Sequence, residues 1–361
     1  MKKTMTVSAK IIRKKPKLRT DESGVASFMV TLVLMLVITL IILGFAQIAR
    51  RDQREALDDQ LSTQAFYAAE TGVNLVQKLM QTNPISTLKK TTCPSQAVPY
   101  NGVQLNNPNT QVSNSCLLVD TAPTSLVYGN IGTNSTVVPL QPDVSGYGAG
   151  TLTITWNPKS SAASDNLASC PAYSSFSTTA KGGWPATCPF GVLRFDLVDT
   201  TAAGTLTAQN LQNQTMTVFA PPATSPVYPI VKKENGAVPF TFTAANGKVT
   251  CNTASGSYSC SLTVSNVNFD HTHYLRLTSL YKDVTISNIS GEGSRGQAVS
   301  FVGAQIEVDS TGKAVDVLRR IQVRLDENNQ LAPSNAIQST TGICKLYTTD
   351  GSSGVNTGVC P

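Results

Sequence analysis

The 361-residue chain has only two histidines, and it lacks the patterns that hydrolases and nucleotide-binding enzymes use. No G-x-S-x-G occurs, and a Ser–His–Asp arrangement would have to use His271 or His273 without any serine to nominate as its partner. Residues 291–296, GEGSRG, have dinucleotide-loop spacing, but a strand-like segment follows them instead of the helix that such a loop needs. These absences predict a protein that is not an enzyme and binds no cofactor.

The chain also lacks net charge outside its first 24 residues. Eight of the 28 Lys and Arg residues and two of the 22 Asp and Glu residues lie in residues 1–24, so the rest of the chain carries twenty of each. The basic character therefore belongs to a short tail and not to a domain surface. This balance argues against nucleic acid as a partner.

Residues 25–46 contain no charged side chain at all. A helix of these 22 residues is about 33 Å long, and the hydrocarbon layer of a bilayer is about 30 Å thick. We predict a single transmembrane span, with the basic leader, residues 1–24, in the cytoplasm and everything after Ala46 outside the membrane.

No proline interrupts residues 25–83, so the helix is predicted to continue to residue 82. Residues 47–82 are amphipathic, and their small and apolar positions recur every three or four residues. These positions are Leu57, Leu61, Ala65, Ala68, Gly72, Leu75, Val76 and Leu79. The stripe is expected to pack on the rest of the chain.

From residue 83 onward, short alternating runs rich in Ser, Thr and Gly predict a mainly antiparallel β head, so the fold class is α+β. The segment Asp309–Gly312 is predicted to be the turn of a hairpin. Residues 220–229, APPATSPVYP, are predicted to link two β subdomains, 83–219 and 230–361. A proline-rich crossing loop inside one domain is the alternative.

All eight cysteines follow the apolar run, which suits an extracytoplasmic, disulfide-permissive compartment. No C-x-x-C is present, so metal binding by cysteine is disfavoured. Sequence spacing favours pairing between near neighbours. The predicted disulfides are Cys93–Cys116, Cys170–Cys188, Cys251–Cys260 and Cys344–Cys360.

Two polar clusters have residue types that occur in binding sites. His271 and His273, beside Asp270, have the spacing of one strand face, but a metal would need a further ligand that the sequence does not name. They are therefore interpreted as the solvated start of a strand, and no metal site is predicted. The arginines at 319, 320 and 324 are interpreted as a solvated strand face.

The N-terminal region resembles a known family. A basic tail is followed by Ser23-Gly24, a small and apolar start VASFM (25–29), an unbroken apolar helix, and AFYAAETG (65–72). This order of features resembles bacterial type IV pilin-like proteins, and most of all minor pilins of the PilX type. The resemblance covers about the first 80 residues.

That resemblance implies a processing route and partners. Prepilin peptidase would cleave after Gly24, leaving Val25 as a methylated N-terminus, and the helix would later pack against other pilins in a filament. Most pilins carry Glu at the fifth position after the cut, where this chain has Met29.

The sequence therefore predicts a structural minor pilin or pseudopilin at or near a filament tip, with a β head whose ligand the sequence does not name. Alternatives are a pseudopilin of a type II secretion or DNA-uptake machine, an uncleaved signal-anchored surface adhesin that begins at Met1, and a secreted protein cleaved after Ala46. The mature N-terminus would be Val25, Met1 or Gln47, depending on the class.

Overall fold

The computed structural model describes residues 22–93, 100–102, 111–133, 135–160, 162, 164–171, 183–200, 208–233, 239–243, 247–252 and 258–327. The chain divides into two compact units, with the boundary between Thr63 and Gln64. In chain order the elements are α1 (Glu22–Met80), a 3-10 helix (Ile85–Leu88), β1 (Val112–Asp120), β2 (Ser125–Ile131), β3 (Thr136–Pro142), β4 (Ala149–Pro158), a 3-10 helix (Leu167–Ser169), β5 (Val192–Asp199), α2 (Ala208–Asn213), β6 (Thr215–Ala220), β7 (Ile230–Lys233), β8 (Thr250–Asn252), β9 (Ser259–Asn268), β10 (His273–Leu280), β11 (Val284–Glu292), β12 (Ala298–Val299), β13 (Phe301–Val302), β14 (Gln305–Ala314) and β15 (Val317–Asp326).

The predicted N-terminal helix is present as one uninterrupted element, α1. Its apolar stripe is confirmed from Ala65 onward, because Ala65, Ala68, Gly72, Val76 and Leu79 are all buried. The stripe prediction is wrong at Leu57, which is exposed. The burial therefore begins close to the boundary between the two units.

Most of the β head is built from two six-stranded antiparallel sheets. One has the strand order β13–β3–β10–β5–β6–β7, and the other has β12–β11–β4–β9–β8 with β2 also paired to β11. A single hydrophobic core contains side chains of both sheets, including Phe195 and Leu275 from the first and Ile154 and Leu262 from the second. The alternation of inward apolar and outward polar residues along β4 and β9 is what two facing sheets require.

A third, three-stranded antiparallel sheet has the order β1–β14–β15. Its inner face carries Leu117, Val119, Ile306 and Val308, which form a second core together with the buried side of the last turns of α1. This sheet is the surface on which the C-terminal part of α1 lies.

The predicted division of the head at residues 220–229 is not what the structure shows. Strands from before and after that segment share both six-stranded sheets; β3 and β5, for instance, flank β10. The proline-rich segment connects β6 to β7, which pair with each other. Antiparallel neighbours in one sheet cannot be separated into independent subdomains, so the segment is the crossing loop of one domain.

Two smaller predictions need correction. Asp309–Gly312 does not form a turn but lies inside β14, and the β14–β15 hairpin turns at Val315 and Asp316, where Ala314 pairs with Val317. Val315 has a φ of 56°, so a non-glycine residue takes the left-handed conformation of this turn. The head also contains a short helix, α2, which the sequence pattern did not reveal.

Candidate functional site: the N-terminal helix and its docking face

The first part of α1 is exposed on every side. We call residues 27–60 the exposed segment, since every side chain in it is exposed. By length and composition the helix could cross a membrane: its most apolar 18-residue window has a mean hydropathy of 2.9 and is 0% buried. Its exposed large apolar side chains are Phe28, Met29, Val30, Leu32, Val33, Leu34, Met35, Leu36, Val37, Ile38, Leu40, Ile41, Ile42, Leu43, Phe45, Ile48 and Leu57. Such a surface needs lipid or other apolar helices around it.

The predicted cleavage junction lies at the start of this helix. Gly24 and Val25 are both within α1, which begins at Glu22. Met29, one turn further on, is 61% exposed. No carboxylate occurs between Val25 and Ala46, so this stretch of helix offers no counter-charge to an amine.

The last part of α1 has the opposite character. We call residues 64–80 the docked segment, because its stripe packs on the β1–β14–β15 sheet. The approach is close at two glycines. A Cβ on Gly312 would overlap the carbonyl oxygen of Ala65, and a Cβ on Gly72 would lie 2.5 Å from Nδ2 of Asn114. Both positions therefore require glycine for contact between helix and sheet, and neither has a positive φ.

Two buried polar side chains of the sheet hold the helix backbone. Ser310 donates its hydroxyl to the carbonyl of Ala69 at 2.6 Å. Asn114 donates from Nδ2 to the Ser310 hydroxyl at 2.6 Å and to the carbonyl of Ala68 at 3.3 Å. Because Asn114 and Ser310 lie on β1 and β14, this polar seam joins one turn of helix to two neighbouring strands.

The AFYAAETG motif contains buried small residues and exposed aromatic residues. Its small residues, Ala65, Ala68, Ala69 and Gly72, face the sheet and are buried. Phe66 and Tyr67 point outward, are exposed, and meet edge to face with ring centroids 6.0 Å apart. The motif therefore docks the helix on its own head and leaves an aromatic pair exposed.

Three disulfides join the pairs that the spacing predicts: Cys93–Cys116, Cys170–Cys188 and Cys251–Cys260. The first connects the chain after α1 to β1, and the third links paired positions of β8 and β9. Cys344 and Cys360 lie outside the described residues.

The basic cluster on β15 is paired with carboxylates of β14. Arg320 forms a bidentate pair with Asp309, and Arg324 lies 2.6 Å from Glu307. These cross-strand ion pairs hold two of the arginines against carboxylates of the neighbouring strand.

The two histidines are not the solvated strand start that the sequence suggested. His273 is 0% exposed and opens β10, where it pairs with Asp199 at the end of β5. Nε2 of His271 lies 3.1 Å from Oδ1 of Asp199, and Nε2 of His273 lies 3.9 Å from the same oxygen. Burial, together with the neighbouring His271, lowers the pKa of His273 to about 4, against the smaller opposing effects of Asp199 and the His271 backbone. The ring of His273 is thus neutral at ordinary pH.

Asp270, the third member of the sequence cluster, is used elsewhere. Its Oδ1 accepts hydrogen bonds from the backbone N–H groups of Gly148 and Gly146, at 3.0 and 2.8 Å, which lower the pKa of this carboxyl group. The sequence could not nominate Asp199 in its place, because only the pairing of β5 with β10 brings it to the histidines.

The architecture defines a class of protein. One long apolar N-terminal helix followed by a large antiparallel β domain with disulfides is an α+β, pilin-like fold. Within that class, residues 23–74 match the family model of the PilX N-terminal region, which belongs to a type IV pilus minor pilin. The predicted resemblance of the N-terminal region is therefore confirmed, and the match ends before β1 begins.

The chain matches none of the curated proteins and none of the solved structures. The family match and the apolar helix together fit a membrane-anchored pilus protein.

Proposed function

We propose that this protein is a non-catalytic minor pilin that is cleaved after Gly24, held in the cytoplasmic membrane with its head outside, and incorporated at or near the tip of a type IV filament. There it primes assembly or presents its β head to a ligand. Its partners are other pilins, which contact it through the exposed segment, and the prepilin peptidase.

The match of residues 23–74 to the PilX N-terminal region carries this proposal. The matched range contains the junction at Gly24 and Val25, the whole exposed segment, and AFYAAETG. The exposed segment supports the same role, because its apolar surface can exchange lipid for neighbouring helices when the subunit leaves the membrane. A soluble β head without a filament role would need no such surface.

The N-terminus of the membrane-bound protein tests the processing step. We expect intact-mass measurement to give a chain that begins at Val25, and Gly24→Leu to retain residues 1–24. Gly44→Leu is the matched control, since Gly44 lies in the same helix with nothing within 4 Å of a Cβ. It should be processed normally.

A different N-terminus would indicate a different class of protein. A native chain that starts at Met1 would indicate an uncleaved, signal-anchored surface protein. A chain that starts at Gln47 would indicate a secreted one. Either result would remove the pilin role as proposed here.

The tip position rests on Met29. After cleavage Val25 carries a positive amine, and an unpaired charge among apolar helices is unfavourable by several kcal/mol when it is fully desolvated. In pilins with Glu at the fifth position, that carboxylate can pair with the amine of the preceding subunit. A subunit with Met29 offers no such partner. If it is the first subunit, no preceding subunit exists whose amine would be left unpaired. The large head, residues 83–361, also suits a position where close stacking is not required.

Labelling of purified filaments tests the position. Antibody to the head should label filament ends, and subunit counting by mass spectrometry should give a small fraction of the major pilin. Met29→Glu should raise incorporation along the shaft, whereas Met29→Gln, of similar size and without charge, should not. Dense labelling along the shaft of the unmodified protein would contradict the tip position.

A further inference from the structure

Three side chains outside the helix site form a compact group of metal-ligating atoms. Asp199, His271 and His273, which we call the His–Asp cluster, each place one ligand atom within 4.8 Å of the other two. The proposed filament role makes no use of them, and the inference below does not depend on that role.

The fold fixes the cluster from two sides. The antiparallel register of β5 and β10 places His273 directly opposite Asp199. His271 comes from the turn before β10, and the Thr200 hydroxyl donates to the carbonyl of Thr272 at 2.5 Å, which ties this turn to the residue after Asp199. The two imidazole rings stack at 4.6 Å between centroids with an interplanar angle of 30°. Nε2 of each ring lies within 4 Å of Oδ1 of Asp199.

The polar groups beside the ring of His273 are the Asp199 carboxylate, 3.9 Å from Nε2, and the backbone of His271. The His273 side chain is completely buried, and neither ring nitrogen has a hydrogen-bond partner among the described residues. The rings of Phe240 and Phe269 lie 5.6 and 6.5 Å from it and offer no acceptor. A buried polar atom without a partner is unfavourable by about 1–3 kcal/mol, so its persistence needs a cause. A bound cation is one, because a neutral imidazole nitrogen is a metal ligand.

We propose that the His–Asp cluster binds a divalent transition metal such as Zn²⁺, through Nε2 of His271, Nε2 of His273 and Oδ1 of Asp199, with water completing the coordination. In tetrahedral zinc sites with bonds of about 2.0–2.1 Å, neighbouring ligand atoms lie about 3.3 Å apart. The observed separations of 3.1 and 3.9 Å from Asp199 Oδ1 approach this value. Two imidazoles and one carboxylate suit Zn²⁺ or a similar ion better than Ca²⁺ or Mg²⁺, which prefer oxygen ligands.

The side chains of His271 and Asp199 remain 20% and 10% exposed, so the ion has a route from solvent. Once bound, it would connect the end of β5 to the turn before β10. The role is structural: the metal would stabilise one end of these two central strands of the sheet.

Metal binding to the full-length protein tests the proposal. The chain is purified in detergent without a histidine tag, stripped with chelator, and titrated with Zn²⁺ and with Co²⁺ as a spectroscopic probe. We expect one Zn²⁺ per chain and a higher melting temperature in the presence of Zn²⁺. Bound Co²⁺ should show the visible absorption typical of four-coordinate, tetrahedral sites.

Two variants locate the site without opening the core. His271→Ala and Asp199→Asn should each weaken Zn²⁺ binding at least roughly tenfold, since even second-shell partners commonly contribute that much. Asp283→Asn is the control, because Asp283 is a half-exposed carboxylate paired with Lys159 and should bind metal as the unmodified chain does. Circular dichroism and disulfide mapping verify that each variant is folded.

The proposal fails if the unmodified chain takes up no stoichiometric Zn²⁺. It also fails unless both ligand variants weaken binding while the control does not. Neither result bears on cleavage after Gly24, so this inference and the proposed function can fail separately.

Discussion

The exposed and docked segments belong to one helix, yet their surfaces obey different rules. Residues 27–60 present large apolar side chains on all sides, and every side chain in this range is exposed. Residues 64–80 present alanine, glycine and valine on one side, and that side is buried against the β1–β14–β15 sheet.

The difference shows what each segment is built to contact. Large, flexible apolar side chains suit a fluid or exchangeable environment, whereas small ones permit the close and fixed contact seen at Gly72 and Gly312. The stability of the docked segment should therefore depend on individual atoms, and that of the exposed segment should not.

The largest effect is expected at Gly312. In Gly312→Val the new side chain overlaps the backbone of Ala65, which cannot move without undocking the helix. We expect a loss of about 3 kcal/mol in the free energy of unfolding, the upper end of the usual range for overpacking. Hydrogen exchange should rise in residues 64–80 and stay unchanged in residues 27–60. Gly129→Val, at an exposed β2 position with open space around the Cβ, should show neither effect. Unchanged protection of residues 64–80 in Gly312→Val would contradict the close contact.

An intermediate effect is expected in the polar seam. Ser310→Ala removes the donor to the Ala69 carbonyl and one partner of Asn114, so it should cost about 1–2 kcal/mol. Asn114→Ala should cost a similar amount. The double variant should cost less than the sum of the two, because the side chains share a hydrogen bond, and chemical denaturation of all four proteins measures the coupling. Strict additivity would show that the two side chains act independently.

The smallest effect is expected in the exposed segment. Leu36→Ala should change the free energy of unfolding of the head by less than about 0.5 kcal/mol, because the Leu36 side chain is exposed. Leu79→Ala in the docked segment is the matched control and should cost about 2 kcal/mol. Equal losses of unfolding free energy in the two variants, measured by denaturation in detergent, would contradict the difference between the two segments.

Much of this helix could be predicted from sequence, because its signals are periodic and local. The docking sheet could not. The alternation of β1 is broken by a bulge between Asn114 and Cys116, and the inward residue before the bulge, Asn114, is polar. The sequence predicts a turn at Gly312, but this residue lies within β14, where the missing side chain leaves room for the backbone of Ala65. In both cases the sequence signal was altered by contact with the helix, which is distant in sequence.

The His–Asp cluster shows the same limit. His271 and His273 are close in sequence and share one strand-face pattern, but Asp199 is 72 residues away from His271. Only the register of β5 against β10 nominates it, and a register is a property of the sheet and not of any one strand.

The Cys93–Cys116 disulfide has a mechanical consequence. A pull applied along α1 would reach the head through the docked segment and then through the chain that leads to β1. The two cysteines are 23 residues apart, which would correspond to roughly 80 Å of fully extended chain. The disulfide bypasses the residues between the two cysteines, so tension passes from the helix to β1 through a covalent link. The residues between Cys93 and Cys116 can then add length under tension only if the sulfur–sulfur bond breaks.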